Sequence, residues 1–340
     1  AEAGTAGRTG SPAESKRRSR TGGIRRSELA VSTSQLVLML KTGTSLVDGL
    51  QALSRQLSGS KMGSVWGAVA DDVSGGATLG NALAEYPRVF DNFYVGAVRA
   101  GEQGGDLAGV FDRLSSYIEK RIELRSSIVG AMIYPAIISL LALGAVVFVV
   151  TFVLPRFTSI FERNNVALPL PTRILMGTSD FLVSYWYLLL LAAVVVGGAV
   201  AYFLRTPAGE RLWSSIVLRL PVIGATSHMI QSSTLLRTLG TLLDARVSLL
   251  DALEVTKDVC RNVYYREFVE SLSSRVIQGE TLSSGFEESD LMTPAIKQMV
   301  STGENAGSMA MVLAALSDHL DADIEKRIKR LSVVLEPAII

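Results

Sequence analysis

The chain has 340 residues, 48% of them hydrophobic, with a net charge of +1. The balance is −1 over 31–125 and −3 over 205–340, too little positive charge for a nucleic-acid binder. A single cysteine, Cys260, excludes an intramolecular disulfide, and no Cys/His spacing points to a zinc site.

Residues 1–28 are mostly Gly, Ser, Thr, Ala and Arg. They cannot bury enough apolar surface to offset ordering, so a disordered basic tail is expected. They contain no apolar run of signal-peptide length. The cluster Lys16-Arg17-Arg18-Ser19-Arg20 suits a solvated tail or contact with anionic lipid headgroups equally well.

Residues 29–125 carry apolar side chains at helical spacing and no stretch alternating with period two, which predicts an all-α repeat. Leu36, Met39 and Leu40 share one face, and Leu46, Leu50, Leu53 and Leu57 share the next, across a turn at Thr42-Gly43-Thr44. Thr44 or Ser45 caps the second helix. A third helix over 61–74 stops at Gly75-Gly76, and Thr78 caps a short fourth that Pro87 ends. A fifth helix runs from Phe90 to Ala100 and a sixth from Asp106 to Arg125.

Residues 126–154 hold no charged side chain, and Ile133–Leu154 is 22 residues of almost pure Ala, Val, Ile, Leu and Phe. A helix needs about 20 apolar residues to cross a bilayer, so 126–154 is read as transmembrane helix 1. Tyr134 then sits at headgroup depth, where Pro135 follows it. A second uncharged run, 181–204, is read as transmembrane helix 2, with Tyr185, Trp186, Tyr187 and Tyr202 as interfacial anchors. Gly197-Gly198 inside it suits either close approach of another helix or merely flexible packing; three spans offer little internal membrane core, and with the first reading a homo-oligomer is predicted. Residues 155–180 between the spans form a short loop on the opposite side of the membrane. Arg113, Lys120, Arg121 and Arg125 precede the first span, and Arg205, Arg211 and Arg219 follow the second. The positive-inside rule therefore places the larger segments in the cytoplasm.

The chain repeats itself after the second span. Ser45-Leu46-Val47-Asp48-Gly49-Leu50 returns as Ser248-Leu249-Leu250-Asp251-Ala252-Leu253, and Thr78-Leu79 as Thr281-Leu282, both 203 residues on. Gly101-Glu102-Gln103-Gly104-Gly105 returns as Gly303-Glu304-Asn305-Ala306-Gly307, and Pro135-Ala136-Ile137-Ile138 as Pro337-Ala338-Ile339-Ile340, both 202 residues on. Residues 205–332 are thus a second helical repeat, and 333–340 begin a third span at Glu336-Pro337 that the chain follows for about six residues.

The sharpest motif is Gly-Glu-x-x-Gly, at the fifth corner of each repeat. Gly101 and Gly303 are expected to take a positive φ that ends the preceding helix. Gly105 and Gly307 let the backbone turn into the next one. Glu102 and Glu304 then sit near the start of that long helix, where a carboxylate meets orphan N–H groups and a favourable dipole. Two readings follow: a structural corner, or a corner presented to a partner protein. The first corner carries the extra acid Asp106 where the second has Ser308, which makes it the partner-facing candidate.

No catalytic set is legible. Gly75-Gly76-Ala77-Thr78-Leu79-Gly80 has the outer spacing of a phosphate loop but continues with Asn81 instead of lysine. No H-E-x-x-H or G-x-S-x-G occurs, and His228 and His319 lie in helical patterns with no Ser or Cys beside them. Catalytic residues, cofactor and metal are accordingly read as none. A membrane transporter or channel subunit is the alternative, but it would want ionisable groups at membrane depth, which neither complete span has.

The duplicated helical segment, the Gly-Glu-x-x-Gly corners, Tyr134-Pro135 and Glu336-Pro337 resemble the F-type inner-membrane platform proteins of type II secretion and type IV pilus assembly. So does the stretch Val153-Leu154-Pro155-Arg156-Phe157 with Phe161 and Leu168-Pro169-Leu170-Pro171-Thr172. The resemblance covers Leu29 to Ile340. One departure is Arg246, which stands where the first repeat has Gly43, so a differently built turn is expected there. The resemblance implies an all-α membrane protein with two homologous cytoplasmic six-helix bundle domains linked by transmembrane helices. It also implies a non-enzymatic, multi-pass scaffold of the bacterial inner membrane, with most of its mass cytoplasmic. Its implied partners are a hexameric assembly ATPase, pilin-like subunits, other inner-membrane assembly proteins and membrane lipid.

Overall fold

The computed structural model describes residues 24–153, 184–204, 206–220 and 223–339, together with Arg156 and Gly177. The tail expected over 1–28 and the loop expected over 155–180 therefore lie largely outside the described residues. Where they overlap, Arg26–Glu28 are already helical. The described residues form helices and no strand.

The first repeat contains α1 (Arg26–Lys41), α2 (Leu46–Gln56), α3 (Lys61–Ser74), α4 (Leu79–Ala84) and α5 (Asn92–Gly104). It closes with the start of α6 (Leu107–Phe148), which continues as a π-helix over Val149–Val153. Next come α7 (Trp186–Phe203) and α8 (Pro207–Arg219). The second repeat contains α9 (Ile223–Asp244), α10 (Leu249–Val259), α11 (Val263–Ile277), α12 (Leu282–Glu287), α13 (Pro294–Asn305) and α14 (Met309–Ile339).

Local chemistry sets these boundaries. Ser45 and Ser248 cap α2 and α10, each accepting a backbone N–H three residues on, from Asp48 and Asp251. Each serine side chain accepts one of the N–H groups that a helix start leaves without an intrahelical acceptor. Ser60, Asp91 and Thr293 do the same for α3, α5 and α13.

The described residues divide into two compact units. The first joins the first repeat, as far as Arg125, with 226–323 of the second. The resemblance implies two homologous bundle domains; in the structure most of the described residues of both repeats lie in this one unit. Their contacts explain it. Tyr117 and Thr238 hydroxyls meet at 3.3 Å in a buried position, and Asn92 donates to Asp258 at 2.7 Å. Arg113 pairs with Asp244, and Lys120 with Asp318. A side chain at Gly96 would stand 3.4 Å from Val255 of the other repeat.

The two cores are built on matching positions. Leu50 and Leu253, Trp66 and Val269, Leu79 and Leu282, Val98 and Val300, and Leu114 and Leu316 are all buried. In the first repeat aromatic rings extend the core: Trp66 lies 5.2 Å from Phe90, and Phe90 lies 5.0 Å from Tyr94. Aromatic pairs at such separations add about 0.5–1.5 kcal/mol each to the burial itself.

The second unit takes in the described residues of 126–225 and 324–340. Its part of α6 exposes Leu140, Leu141, Leu143, Val146 and Phe148, and the π-helix that continues it exposes Phe152. The helix from Leu107 to Val153 is long and apolar enough to cross a membrane. Exposed leucines and phenylalanines all round a helix are stable only in an apolar solvent or under a protein cover. Pro135 lies inside α6. α7 is 18 residues without a charge. The backbone of α14 stays helical to Ile339, through Glu336 and Pro337.

Candidate functional site

The two Gly-Glu-x-x-Gly corners adopt one geometry, and it differs from the local reading in two respects. The glycines divide their work differently. Gly101 and Gly303 are helical, and they are small because α6 and α14 pass against them. A Cβ at Gly101 would stand 2.6 Å from Val110 Cγ2, and one at Gly303 would stand 2.9 Å from Val312 Cγ2. Gly105 and Gly307 take the left-handed conformation, at φ 73° and 64°. Asp106 N–H then reaches back to Gly101 O at 3.1 Å, and Ser308 N–H to Gly303 O at 2.9 Å. These bonds satisfy carbonyls at the helix end, as in a Schellman closure.

The glutamates also cap a different helix. Glu102 lies in the last turn of α5, and its two carboxylate oxygens accept the Leu79 N–H at 2.8 Å and the Gly80 N–H at 3.2 Å. Glu304 accepts the Leu282 N–H at 2.8 Å and the Ser283 N–H at 2.7 Å. Thr78 and Thr281 accept the next N–H, from Asn81 at 3.4 Å and Ser284 at 3.3 Å. Three of the four orphan donors of each six-residue helix are thereby satisfied by one threonine and one glutamate. Helices this short are not stable alone; α4 and α12 are held by their buried side chains, among them Leu79, Leu83, Leu282 and Phe286, and by the distant carboxylate at their first turn.

Asp106, the extra acid of the first corner, accepts the Gly109 N–H at 2.9 Å as the cap of α6 and stands 3.5 Å from Arg113. The same Arg113 pairs with Asp244 of the second repeat. The first corner is thus tied to the other repeat by an acid–arginine–acid chain.

Arg246 overturns another expectation. It takes φ 61°, and its turn repeats that of Gly43 bond for bond. Thr42, Gly43 and Thr44 N–H groups reach Leu38, Leu40 and Met39 carbonyls; Ala245, Arg246 and Val247 reach Thr241, Leu243 and Leu242. The turn is built alike in both repeats, with a non-glycine residue held in the left-handed region.

Among the described residues no group of His, Cys, Asp and Glu is placed to hold a metal ion. His228 Nδ1 lies 3.1 Å from the Tyr265 hydroxyl, which also meets Ser232 Oγ at 3.0 Å. Burial lowers the pKa of His228 and pushes that of Tyr265 up to about 12. Cys260 is buried, and burial pushes its thiol up to about 12, which makes it a packing residue and a poor nucleophile. Tyr134, read as lying at headgroup depth, is exposed on α6, and Pro135 follows it within the helix.

The sequence family described as "Type II secretion system (T2SS), protein F" matches the chain over two segments, 32–155 and 235–340. A type IV pilus assembly protein PilC of Thermus thermophilus is 34% identical over 92% of this chain and 77% of its own. A type II secretion system protein F of Aeromonas hydrophila is 32% identical over 94% of this chain and 82% of its own. The protein of that name from Vibrio cholerae is 31% identical over 94% of this chain and 78% of its own. The two matched segments each hold one copy of the glutamate corner, and on this extent of similarity the chain belongs to the type II secretion system protein F family.

Proposed function

We propose that this protein is a membrane platform on which pilin-like subunits are assembled, in type II secretion or type IV pilus biogenesis. The observation that carries the reading is the two-segment family match, laid over a duplicated helical unit whose sixth helix runs unbroken into an apolar stretch. Relatives named for secretion and for pilus assembly match over similar lengths, which supports a role common to both machines. The chain makes and breaks no bond in this reading. A hexameric assembly ATPase supplies the energy by docking on the helical repeats, which lie in the cytoplasm. Residues 155–180 face the other side of the bacterial inner membrane. The glutamate corners act as struts: each holds a short helix in place through a carboxylate, so that a push on the repeat moves it as a body. Copies of the chain associate through the small-residue face at Gly197-Gly198.

Co-purification from membranes with the assembly ATPase of the same host tests the docking. The ATPase is expected to be retained by the full chain, and ATP hydrolysis by the chain alone to be absent. Hydrolysis by the purified chain, or solute flux through it in liposomes, would overturn the platform reading. Topology is checked by labelling an Asn164→Cys variant, which should react only from the extracytoplasmic side.

A further inference from the structure

α8 carries an apolar face that the protein leaves open. Leu212, Trp213, Ile216 and Leu220 are 52%, 54%, 42% and 42% exposed. At 3.6 residues per turn these four fall within an arc of about 100°. Ser214 is buried, and Arg211 is exposed on the side away from the stripe. Arg219 is exposed at the stripe's edge.

The helix is fixed in place at both ends. Thr206 Oγ1 donates to Phe203 O and accepts the Gly209 N–H at 3.2 Å, closing the corner after α7. A Cβ at Gly209 would stand 2.0 Å from Phe203 O, so only glycine permits this corner. At the far end a Cβ at Gly224 would stand 2.1 Å from Leu218 O.

We propose that α8 lies along the bilayer surface, with its stripe set into the boundary between phospholipid headgroups and acyl chains. The proposal rests on the reading of α7 as a membrane helix. Three features select lipid as the occupant. α8 follows α7 closely in the chain, and α7 too carries exposed apolar side chains, among them Val194, Val195, Val196, Val200, Tyr202 and Phe203. Tyr202 and Trp213 flank the corner, and rings with one polar end favour the headgroup level. Arg219, exposed at the edge of the stripe, suits anionic headgroups, and the polar Arg211 side faces away from them, the pattern of helices that lie in an interface.

The test uses the full chain in phosphatidylethanolamine–phosphatidylglycerol vesicles. An environment-sensitive dye is placed on Ile216→Cys, Leu220→Cys, Arg211→Cys or Val196→Cys, and lipids carry a nitroxide near the ester carbonyl or deep in the chain. Cys260 is buried with a raised thiol pKa, so labelling at neutral pH falls on the introduced cysteine. The shallow nitroxide should quench Ile216 and Leu220 at least twofold more than Arg211, and the deep nitroxide should quench Val196. Deep quenching at Val196 with water-like, unquenched Ile216 and Leu220 would overturn the inference and leave α7 in the membrane. Blue-shifted but unquenched emission at Ile216 would mean a protein cover and also overturn it. An unquenched Val196 would defeat the membrane reading of α7 itself.

Discussion

Arg246 holds φ 61° at the place where Gly43 holds φ 86° in the other repeat, and the same three backbone bonds close both turns. A side chain in the left-handed region costs about 1–2 kcal/mol relative to glycine, part of which is offset because glycine leaves the unfolded chain more freedom. Arg246→Gly should therefore stabilise the protein by about 0.5–1 kcal/mol, and Gly43→Arg should destabilise it by a similar amount. Thermal unfolding of the full chain in detergent checks both. A loss of stability in Arg246→Gly would mean that the arginine side chain contributes more than its backbone costs.

The glutamate caps are expected to resist even the conservative change. Each carboxylate accepts two N–H groups, from Leu79 and Gly80 or from Leu282 and Ser283. Glutamine would turn an NH2 toward one of those donors, leaving it unsatisfied at a cost of about 1–3 kcal/mol. Glu102→Gln and Glu304→Gln should each lose that much, and the double variant should lose the sum, because the sites share no bond partner. Denaturant unfolding decides the matter. Unchanged stability together with lost pilus or secretion output would instead place the charge at a partner surface.

The close passage at Gly101 and Gly303 predicts an overpacking penalty. Gly101→Ala would set a methyl group 2.6 Å from Val110 Cγ2, and Gly303→Ala one 2.9 Å from Val312 Cγ2. Each should cost about 1–3 kcal/mol. Gly101→Ala combined with Val110→Ala should recover part of that loss, since the second change removes the clashing methyl groups. A double-mutant cycle on unfolding free energies measures the coupling; strict additivity would rule out the clash.

Asp318 gives the link between repeats a pH dependence. Burial raises its pKa, but hydrogen bonds from Lys120 of the first repeat and Arg237 of the second outweigh that and hold it below its ordinary 3.8. A carboxylate with a depressed folded pKa contributes stability that is complete above the unfolded value. That contribution is lost as pH falls through the folded value. Stability should therefore decline below about pH 4, and Asp318→Asn should flatten that decline while lowering stability near neutrality. Melting curves between pH 2 and 7 in detergent provide the check. An identical acid limb in the variant would assign the decline to other carboxylates.

Much of the architecture was legible in the residue order because it is set by short-range chemistry. Apolar spacing marks the helices, Ser45 and Thr78 mark their starts, and the uncharged run after Ser126 marks a helix that cannot face water. Blocks recurring 202 and 203 residues apart reveal the duplication without any structure. The tertiary structure decided what those local signals cannot reach. Glu102 and Glu304 cap helices that begin 23 and 22 residues earlier, a pairing that exists only once each repeat folds back on itself. Gly101 is glycine because Val110 passes over it, not because the backbone turns there. The two repeats share one unit because Tyr117, Arg113 and Lys120 find Thr238, Asp244 and Asp318. Local propensity acts over a few residues, whereas the glutamate caps close loops of 23 and 22 residues and the contacts between repeats close loops of more than a hundred, and only the packed chain brings such partners together.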